Sequence, residues 1–316
     1  MSTKNEVLKI LISLSNEYIS GEELAKRLCV SRASVWKAIK ALQKEGYYID
    51  AKTNKGYCLN DENDILNEDI LSRKLPKDIK IIYYPSIDST NTQAKRLINE
   101  GNNDMLLVVA DEQTNGRGRQ GKSFYSPALT GIYMSFVFHP MADLVSTVSS
   151  TTAAAVAVCK AIESLTDKRP EIKWVNDVYL NGKKICGILT EAVSDFETQT
   201  VSSIIIGIGM NIKTIDFPPD VENASCLGAN IKRADMIAEI TKELYKITSN
   251  DYNDFIDYYR SHSMILGKKI QFIKNGVVTE ATAIEIDNTG GLKVQLENSE
   301  IKTLRSGEIS VRSMQS

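Results

Sequence analysis

Histidine is nearly absent: His139 and His262 are the whole supply in 316 residues. Two imidazoles so far apart in sequence give little basis for a histidine-built metal site or a His-activated nucleophile. Cysteine offers no substitute, because the five thiols, Cys29, Cys58, Cys159, Cys186 and Cys226, are odd in number and contain no Cys-x-x-Cys pair. Neither a disulfide framework nor a zinc site is expected. Long apolar runs are also missing. The most apolar helix-like stretch, Leu144 to Cys159, carries six hydroxyl side chains and falls short of the ~20 residues a bilayer requires, so it reads as a buried core helix and no membrane association is expected. The first residues, with Lys4, Glu6 and Lys9, lack the uncharged core of a secretion signal. Charge of one sign is lacking as well: 38 basic against 40 acidic residues leave a net charge of -2. No chain-wide positive field advertises a polyanion, so any DNA contact must be local. The expected compartment is the cytoplasm, and lysine, arginine and carboxylates must carry any chemistry.

What is present suits two or three globular domains, since 42% hydrophobic content in 316 residues fills a sizeable core. Val7, Leu8, Leu11 and Leu14 recur at helical spacing, and a second helix opens at Ser20 with Glu23 placed for a capping box. After a short turn at Cys29 and Val30, Ser31 caps a third helix. Val30 and Val35 can staple that cap, and Val35, Ile39 and Leu42 form its buried stripe. Away from the stripe lie Arg32, Ser34, Lys37, Lys40 and Lys44. Strands over Tyr47 to Ala51 and Gly56 to Leu59 follow, flanking a basic tip that contains Lys55. This layout is a winged helix-turn-helix, with Arg32, Ser34, Lys37, Lys40 and Lys55 as candidate DNA contacts. Ten Lys/Arg against six Asp/Glu in residues 1–60 give the local field the right sign, +4; a solvated basic face or a protein-binding winged helix is the alternative. The polar segment Asn60 to Asp64 reads as a linker.

Further along, Ile81 to Tyr84 reads as a strand, and Ser89-Thr90-Asn91 opens a helix in which Thr90 and Gln93 have capping-box spacing. These polar side chains either cap the helix or offer donors to a ligand. Leu106 to Ala110 is a buried-strand run. It leads through Gln113 to Gly116-Arg117-Gly118-Arg119-Gln120-Gly121. The loop formally contains Gly-x-Gly-x-x-Gly, yet Phe124, Tyr125, Pro127 and the strand-like Gly131 to Phe138 follow it where a dinucleotide fold needs a helix. The Rossmann reading therefore fails. Glycines that admit close approach, together with Arg117 and Arg119 as planar charged donors, suit an anion instead. With two like charges and little apolar content, the loop is expected to be mobile until ligand arrives. Glu171 to Val178 reads as one strand carrying Lys173, Asn176 and Asp177. Asn181-Gly182 signals a hairpin, and the return strand from Lys183 to Leu189 brings a lysine near Asp177. A third apolar strand, Ile204 to Ile206, runs into Gly207-Ile208-Gly209-Met210-Asn211, whose glycines indicate a close backbone approach. Short strands broken by Asn275-Gly276, Asn288 to Gly291 and Ser306-Gly307 fill the C-terminal fifty residues.

In order and spacing these segments resemble the bifunctional biotin protein ligases that also act as biotin operon repressors. The resemblance rests on Ser89-Thr90-Asn91, on Gln113 with Gly116 to Gly121, on Lys173-Trp174-x-Asn176-Asp177, on Lys184-x-Cys186-Gly187-Ile188-Leu189 and on Gly307-Glu308-Ile309-Ser310. Val175 stands where many members have proline, and Phe124 where some have a tryptophan. The resemblance implies an α+β multidomain chain: a winged helix-turn-helix over residues 1–64, a catalytic α/β domain of the class II synthetase and biotin/lipoate ligase type over 65–266, and an SH3-like barrel over 267–316. It implies two acyl transfers at one site, from biotin and ATP to biotinyl-AMP and then to a lysine of the biotin carboxyl carrier protein of acetyl-CoA carboxylase. Lys184, Arg119 and Asp177 are the implied catalytic residues. Ser89, Thr90, Asn91, Gln113, Gly116, Arg117, Gly118 and Gly187 join them around biotin and the adenylate, and Lys173, Asn176, Asn211 and Arg312 are candidates for the nucleotide. Mg²⁺ is expected to arrive with ATP, no protein metal site is expected, and operator DNA is expected to be bound by a homodimer. A ligase without regulatory DNA binding, a lipoate-type ligase and a non-catalytic ligand sensor are the alternatives.

Overall fold

The computed structural model describes residues 2–14, 16–60, 64–140, 147–194, 200–248, 255–274, 277–305 and 308–311. Arg312, the turns Asn275-Gly276 and Ser306-Gly307, the start of the core helix at Leu144, and most of the expected linker lie outside the described residues. The chain divides into two compact units, Met1–Lys74 and Leu75–Ser316.

In the first unit, α1 (Thr3–Leu14), α2 (Gly21–Leu28) and α3 (Arg32–Lys44) bury Val7, Leu11, Leu24, Val35, Ile39 and Leu42 in one core. The Ser20 hydroxyl caps α2 by accepting from the Glu23 N–H at 3.0 Å. The Glu23 carboxylate, however, accepts from Arg27 at 2.9 Å, so only half of the capping box forms. Strands β1 (Ile49–Lys52) and β2 (Gly56–Leu59) pair antiparallel as the wing. The unit continues to Lys74 rather than ending near 64. Its last helix, α4 (Glu68–Ser72), buries Leu71 and packs Ile70 on the same core, and Arg73 Nη1 donates to the Ile12 carbonyl at 2.9 Å.

The second unit is built on a seven-stranded sheet. β3 (Ile79–Tyr84) runs through α5 (Thr90–Asn99) into its parallel neighbour β4 (Met105–Ala110). β5 (Gly131–Phe138) turns antiparallel, and after the 19-residue α6 (Thr147–Leu165) come β6 (Glu171–Lys173), β7 (Asp177–Leu180), β8 (Lys183–Ser194) and β9 (Val201–Asn211). The strand order is β3-β4-β5-β9-β8-β7-β6. Alternation assigns the two faces. Leu106, Val108, Val137 and Ile205 pack under Ala94 of α5, while Thr190 meets Thr151 of α6 on the opposite face at 2.8 Å. The expected single strand over Glu171 to Val178 is two strands. Trp174, 3% exposed, is anchored by its Nε1 donating to the Gly290 carbonyl at 2.8 Å, and Asn176 Nδ2 donates to the Ile188 carbonyl at 3.0 Å. These long-range bonds turn the chain between β6 and β7 and set Lys173 across from Asp177. The Asn181-Gly182 hairpin is as expected, with both residues at positive φ, 51° and 74°.

Helices α7 (Arg233–Thr248) and α8 (Phe255–Ser261) complete the layer around α6. The chain then forms β10 (Lys269–Lys274), β11 (Val277–Ile286), β12 (Leu292–Leu296), β13 (Ile301–Leu304) and β14 (Glu308–Val311). These five strands make an antiparallel sheet in which β14 returns beside β10. They stand in the same compact unit as the central sheet, tied to it through Trp174 and through Arg260, whose Nε donates to the Ile286 carbonyl at 2.8 Å. Among the described residues no helix is long and apolar enough to cross a membrane.

Candidate functional site

A cavity of about 400 Å³ opens on the α5 face of the sheet, within the size range of small-molecule sites. Its floor is glycine. Gly187, Gly207 and Gly209 sit side by side on β8 and β9, and a Cβ on Gly207 would stand 2.1 Å from Asn91 Oδ1, one on Gly209 2.5 Å from the Phe124 ring. Only a strand without side chains lets Asn91 and Phe124 lie this low, which accounts for the Gly207-x-Gly209 spacing. Phe124 also meets Tyr133 edge-on at 6.5 Å.

At one end of the cavity the N-terminus of α5 carries Ser89, Thr90 and Asn91. Ser89, not Thr90, is the cap: its Oγ accepts from the Thr92 N–H at 3.4 Å, while Gln93 Nε2 donates to the Tyr84 hydroxyl at 3.1 Å. Thr90 instead donates to Gln113 Oε1 from both its N–H, at 2.9 Å, and its Oγ1, at 3.1 Å. Gln113 Nε2 donates to Ser126 Oγ at 2.9 Å, leaving its second amide hydrogen for another acceptor. Asn91 is committed to the protein. Its Nδ2 donates to the Leu189 carbonyl at 3.2 Å and to Glu191 Oε2 at 2.9 Å, and its Oδ1 accepts from Ser135 Oγ at 2.6 Å. It shapes the wall more than it offers donors.

The glycine and arginine loop crosses the cavity as a defined hairpin. Gly118 N–H donates to the Lys122 carbonyl at 2.7 Å, and Phe124 N–H to the Gly116 carbonyl at 2.9 Å. Its two charges are met by protein groups: Arg117 Nη2 lies 3.5 Å from Glu191 Oε1 and Arg119 Nη1 donates to Asn176 Oδ1 at 2.9 Å. These partners come from β8 and from the turn between β6 and β7, distant in sequence. From Arg119 the network continues. Asn176 Nδ2 donates to Asp177 Oδ1 at 3.0 Å, and Lys184 Nζ lies 2.7 Å from the same oxygen.

Of the residues singled out in the sequence, Ser89, Thr90, Asn91, Gln113, Arg117, Gly118, Arg119, Lys173, Asn176, Asp177, Lys184 and Gly187 line this one cavity. Gly116 and Asn211 stand outside it. Gly116 opens the loop, where a Cβ would meet the Phe124 carbonyl at 2.3 Å. Asn211 is 5% exposed at the end of β9, its Nδ2 donating to the Ser225 carbonyl at 3.1 Å. Gln271, Ile273 and Ile309 of the C-terminal strands also line the cavity; nothing in their local pattern marks them.

Two further features escape a reading of sequence. Asp111 accepts from Tyr83 at 2.5 Å and from Arg233 at 2.6 Å, and this fully buried arginine pins the strand end that carries Gln113. Glu191 is the one acid on β8 and follows the apolar run Ile185 to Leu189, the one local signal available. Burial alone would raise its carboxyl, but hydrogen bonds from Lys95 and Asn91 and the charges of Lys95 and Arg117 outweigh that and hold it below the usual carboxylate range. Among the described residues no three His, Cys, Asp or Glu side chains gather as metal ligands. Asp177 is the cavity's one carboxylate and it faces Lys184. That donor set fits Mg²⁺ only as an ion carried by substrate phosphates.

In the N-terminal unit, Arg32, Lys37, Lys40 and Lys55 are exposed. Ser34 is drawn into the cap of α3, with its N–H donating to Ser31 Oγ at 3.1 Å and the two hydroxyl oxygens 2.9 Å apart. Trp36, 53% exposed, stands on the same side as Arg32 and Lys40, four residues from each.

Comparison with known proteins agrees with each region. Residues 83–211 match the biotin/lipoate A/B protein ligase family, 3–58 match an HTH domain and 265–312 match the biotin protein ligase C terminal domain. The chain is similar to the bifunctional ligase/repressor BirA of Bacillus subtilis (strain 168), 32% identical over 326 residues that span 98% of each chain. To the protein of the same name from Escherichia coli (strain K12) it is 26% identical over 97% of each. Among solved structures it is similar to the biotin protein ligase from Aquifex aeolicus in complex with biotin and ATP, with a TM-score of 0.61 and 27% identity over 74% of this chain and 98% of that one.

Proposed function

This chain belongs to the family of bifunctional biotin protein ligases and repressors, and we propose that its α5-face cavity makes and holds biotinyl-AMP between the two reactions. One observation carries the reading: Arg119, Asn176, Asp177 and Lys184 form a continuous hydrogen-bonded chain along a glycine-floored cavity that Arg117 also lines. Five basic side chains, Arg117, Arg119, Lys122, Lys173 and Lys184, line a space with a single carboxylate.

The protein is an ATP-dependent biotin ligase. Biotin's carboxylate attacks the α-phosphorus of ATP, and the bond to the pyrophosphate oxygen breaks. Lys184 meets the charge on the carboxylate and α-phosphate oxygens, while Arg117 and Arg119 close over the acyl-phosphate. Ser89 and Gln113 offer polar contacts to biotin; Thr90 fixes Gln113 and Asn91 shapes the wall. Gly187 lets the ligand lie close to β8, and Gly116 and Gly118 give the loop its path. Lys173 and Asn176 face the nucleotide, while Asn211 is committed to the Ser225 carbonyl outside the cavity. An acceptor lysine then attacks the acyl carbon and AMP leaves. Asp177, paired with Lys184 at 2.7 Å, orients that lysine side chain and passes it to the ligand as negative charge arrives. The acceptor is the biotin carboxyl carrier protein of acetyl-CoA carboxylase.

The same chain represses transcription through its winged helix, with Arg32, Lys37, Lys40 and Lys55 toward operator DNA, on which it acts as a homodimer. Its five cysteines are all free, which suits a cytoplasmic protein. The test is direct: protein mixed with biotin and MgATP yields pyrophosphate and tightly bound biotinyl-AMP, and lipoate in place of biotin does not. Equal turnover of lipoate, or no adenylate, overturns the reading.

A further inference from the structure

Outside the cavity lining, one step along β8, Glu191 gathers donors from two segments that must act together. Asn91 Nδ2 lies 2.9 Å from Oε2; Lys95 Nζ lies 2.8 Å and Arg117 Nη2 3.5 Å from Oε1. Asn91 and Lys95 belong to α5, whose N-terminus forms the biotin end, and Arg117 belongs to the loop that crosses the cavity. The carboxylate is half-buried among these groups and is charged at neutral pH, since the donors hold its pKa low.

We propose that Glu191 is a positioning residue that sets how long biotinyl-AMP stays bound, by holding Arg117 over the cavity from behind while tying the loop to α5. The inference rests on the function proposed above. A guanidinium has donors along more than one edge, so the edge turned to Glu191 leaves others for the acyl-phosphate. Lys95, the closer cation, keeps Glu191 neutralised whichever way Arg117 leans. Glu191 then preorganises Arg117 and does not compete with ligand for it. Biotinyl-AMP is also the repressor's signal, so the residence time set here governs both activities.

The experiment measures dissociation of biotinyl-AMP and the rate of its formation in the full chain with Glu191→Gln, Lys95→Met, Arg117→Ala and the double variant Glu191→Gln/Arg117→Ala. Glu191→Gln keeps the acceptor for Asn91 and loses the charge. Release should quicken about tenfold, the scale of one charged hydrogen bond, while formation changes far less. Lys95→Met should also quicken release, because Glu191 without its closer cation competes with the ligand for Arg117; release at the parental rate would contradict the part given to Lys95. In the Arg117→Ala background Glu191→Gln should add nothing. Effects that multiply, or equal losses in formation and release with a lowered melting temperature, overturn the inference and leave Glu191 a packing residue. A parental protein that retains no biotinyl-AMP instead overturns the function itself, so the two failures are distinct.

Discussion

The two candidate functional surfaces present their charges in opposite ways. On α3 of the N-terminal unit, Arg32 and Lys37 stand in solvent on a helix whose other face is core. In the cavity, Arg117, Arg119 and Lys184 each already face a protein oxygen from another segment. A surface for a polyanion gains by releasing counterions and needs only reach and sign. A site for one small anion gains by exchanging prearranged partners for the ligand in a fixed geometry. Substitutions should therefore be severe and specific in the cavity, graded and salt-dependent on the helix.

Lys184→Ala should show the largest effect, since the site loses the cation proposed to meet the carboxylate and α-phosphate oxygens. Biotin-dependent pyrophosphate exchange should fall by about 100- to 1,000-fold, the scale of one preorganised donor, and undiminished exchange would remove Lys184 from the chemistry. Arg119→Gly should leave formation of biotinyl-AMP measurable but release it at least about tenfold faster, seen as free adenylate accumulating without acceptor; retention at the parental rate contradicts the clamp. Gly207→Ala drives a Cβ to 2.1 Å from Asn91 Oδ1, so biotin affinity should drop by about 10- to 100-fold, equivalent to 1–3 kcal/mol of overpacking. Calorimetry with biotin alone checks it. On the other surface, Lys37→Ala should weaken operator and unrelated DNA alike and reduce the salt slope by about one. If its effect depended strongly on sequence, Lys37 would be a base reader and the contrast between the surfaces would blur. The smallest effect concerns pH. The Glu191 carboxyl is held low in the fold, so its contribution is present above the unfolded carboxylate pKa and is lost as pH falls through the lowered value. Acidification should lower the parental melting temperature more than that of Glu191→Gln; parallel curves contradict it.

The sequence reading went furthest where chemistry sits in local motifs. Ser89 to Asn91, the loop from Gly116 to Gly121 and the pair Asp177 and Lys184 could each be picked out from residue type and spacing; the hairpin at Asn181-Gly182 brings the last two onto neighbouring strands, while the bulge at Val178 and Tyr179 that sets Asp177 opposite Gly187 has no local signal. It failed where long-range contacts decide. Glu171 to Val178 has the pattern of one strand, and bonds to Gly290, Tyr259, Ile188 and Arg119, all distant in sequence, hold the turn that splits it. Thr90 has capping spacing with Gln93, yet Gln113 draws its hydroxyl away. Glu191, Arg233 and the C-terminal contributors Gln271, Ile273 and Ile309 have no neighbours in sequence that reveal their partners. The loop's own segment likewise does not reveal Glu191 and Asn176, the partners of its two arginines.

The central claim is that one cavity makes biotinyl-AMP and that its retention there informs the DNA-binding unit. Operator binding titrated with the protein alone, with biotin, with MgATP and with both tests it most directly. The account predicts markedly tighter operator binding only when both are present, lost in Lys184→Ala and restored to that variant by added biotinyl-AMP to the extent that it binds. Operator affinity unchanged by biotin and MgATP, in a protein that demonstrably forms the adenylate, would contradict it.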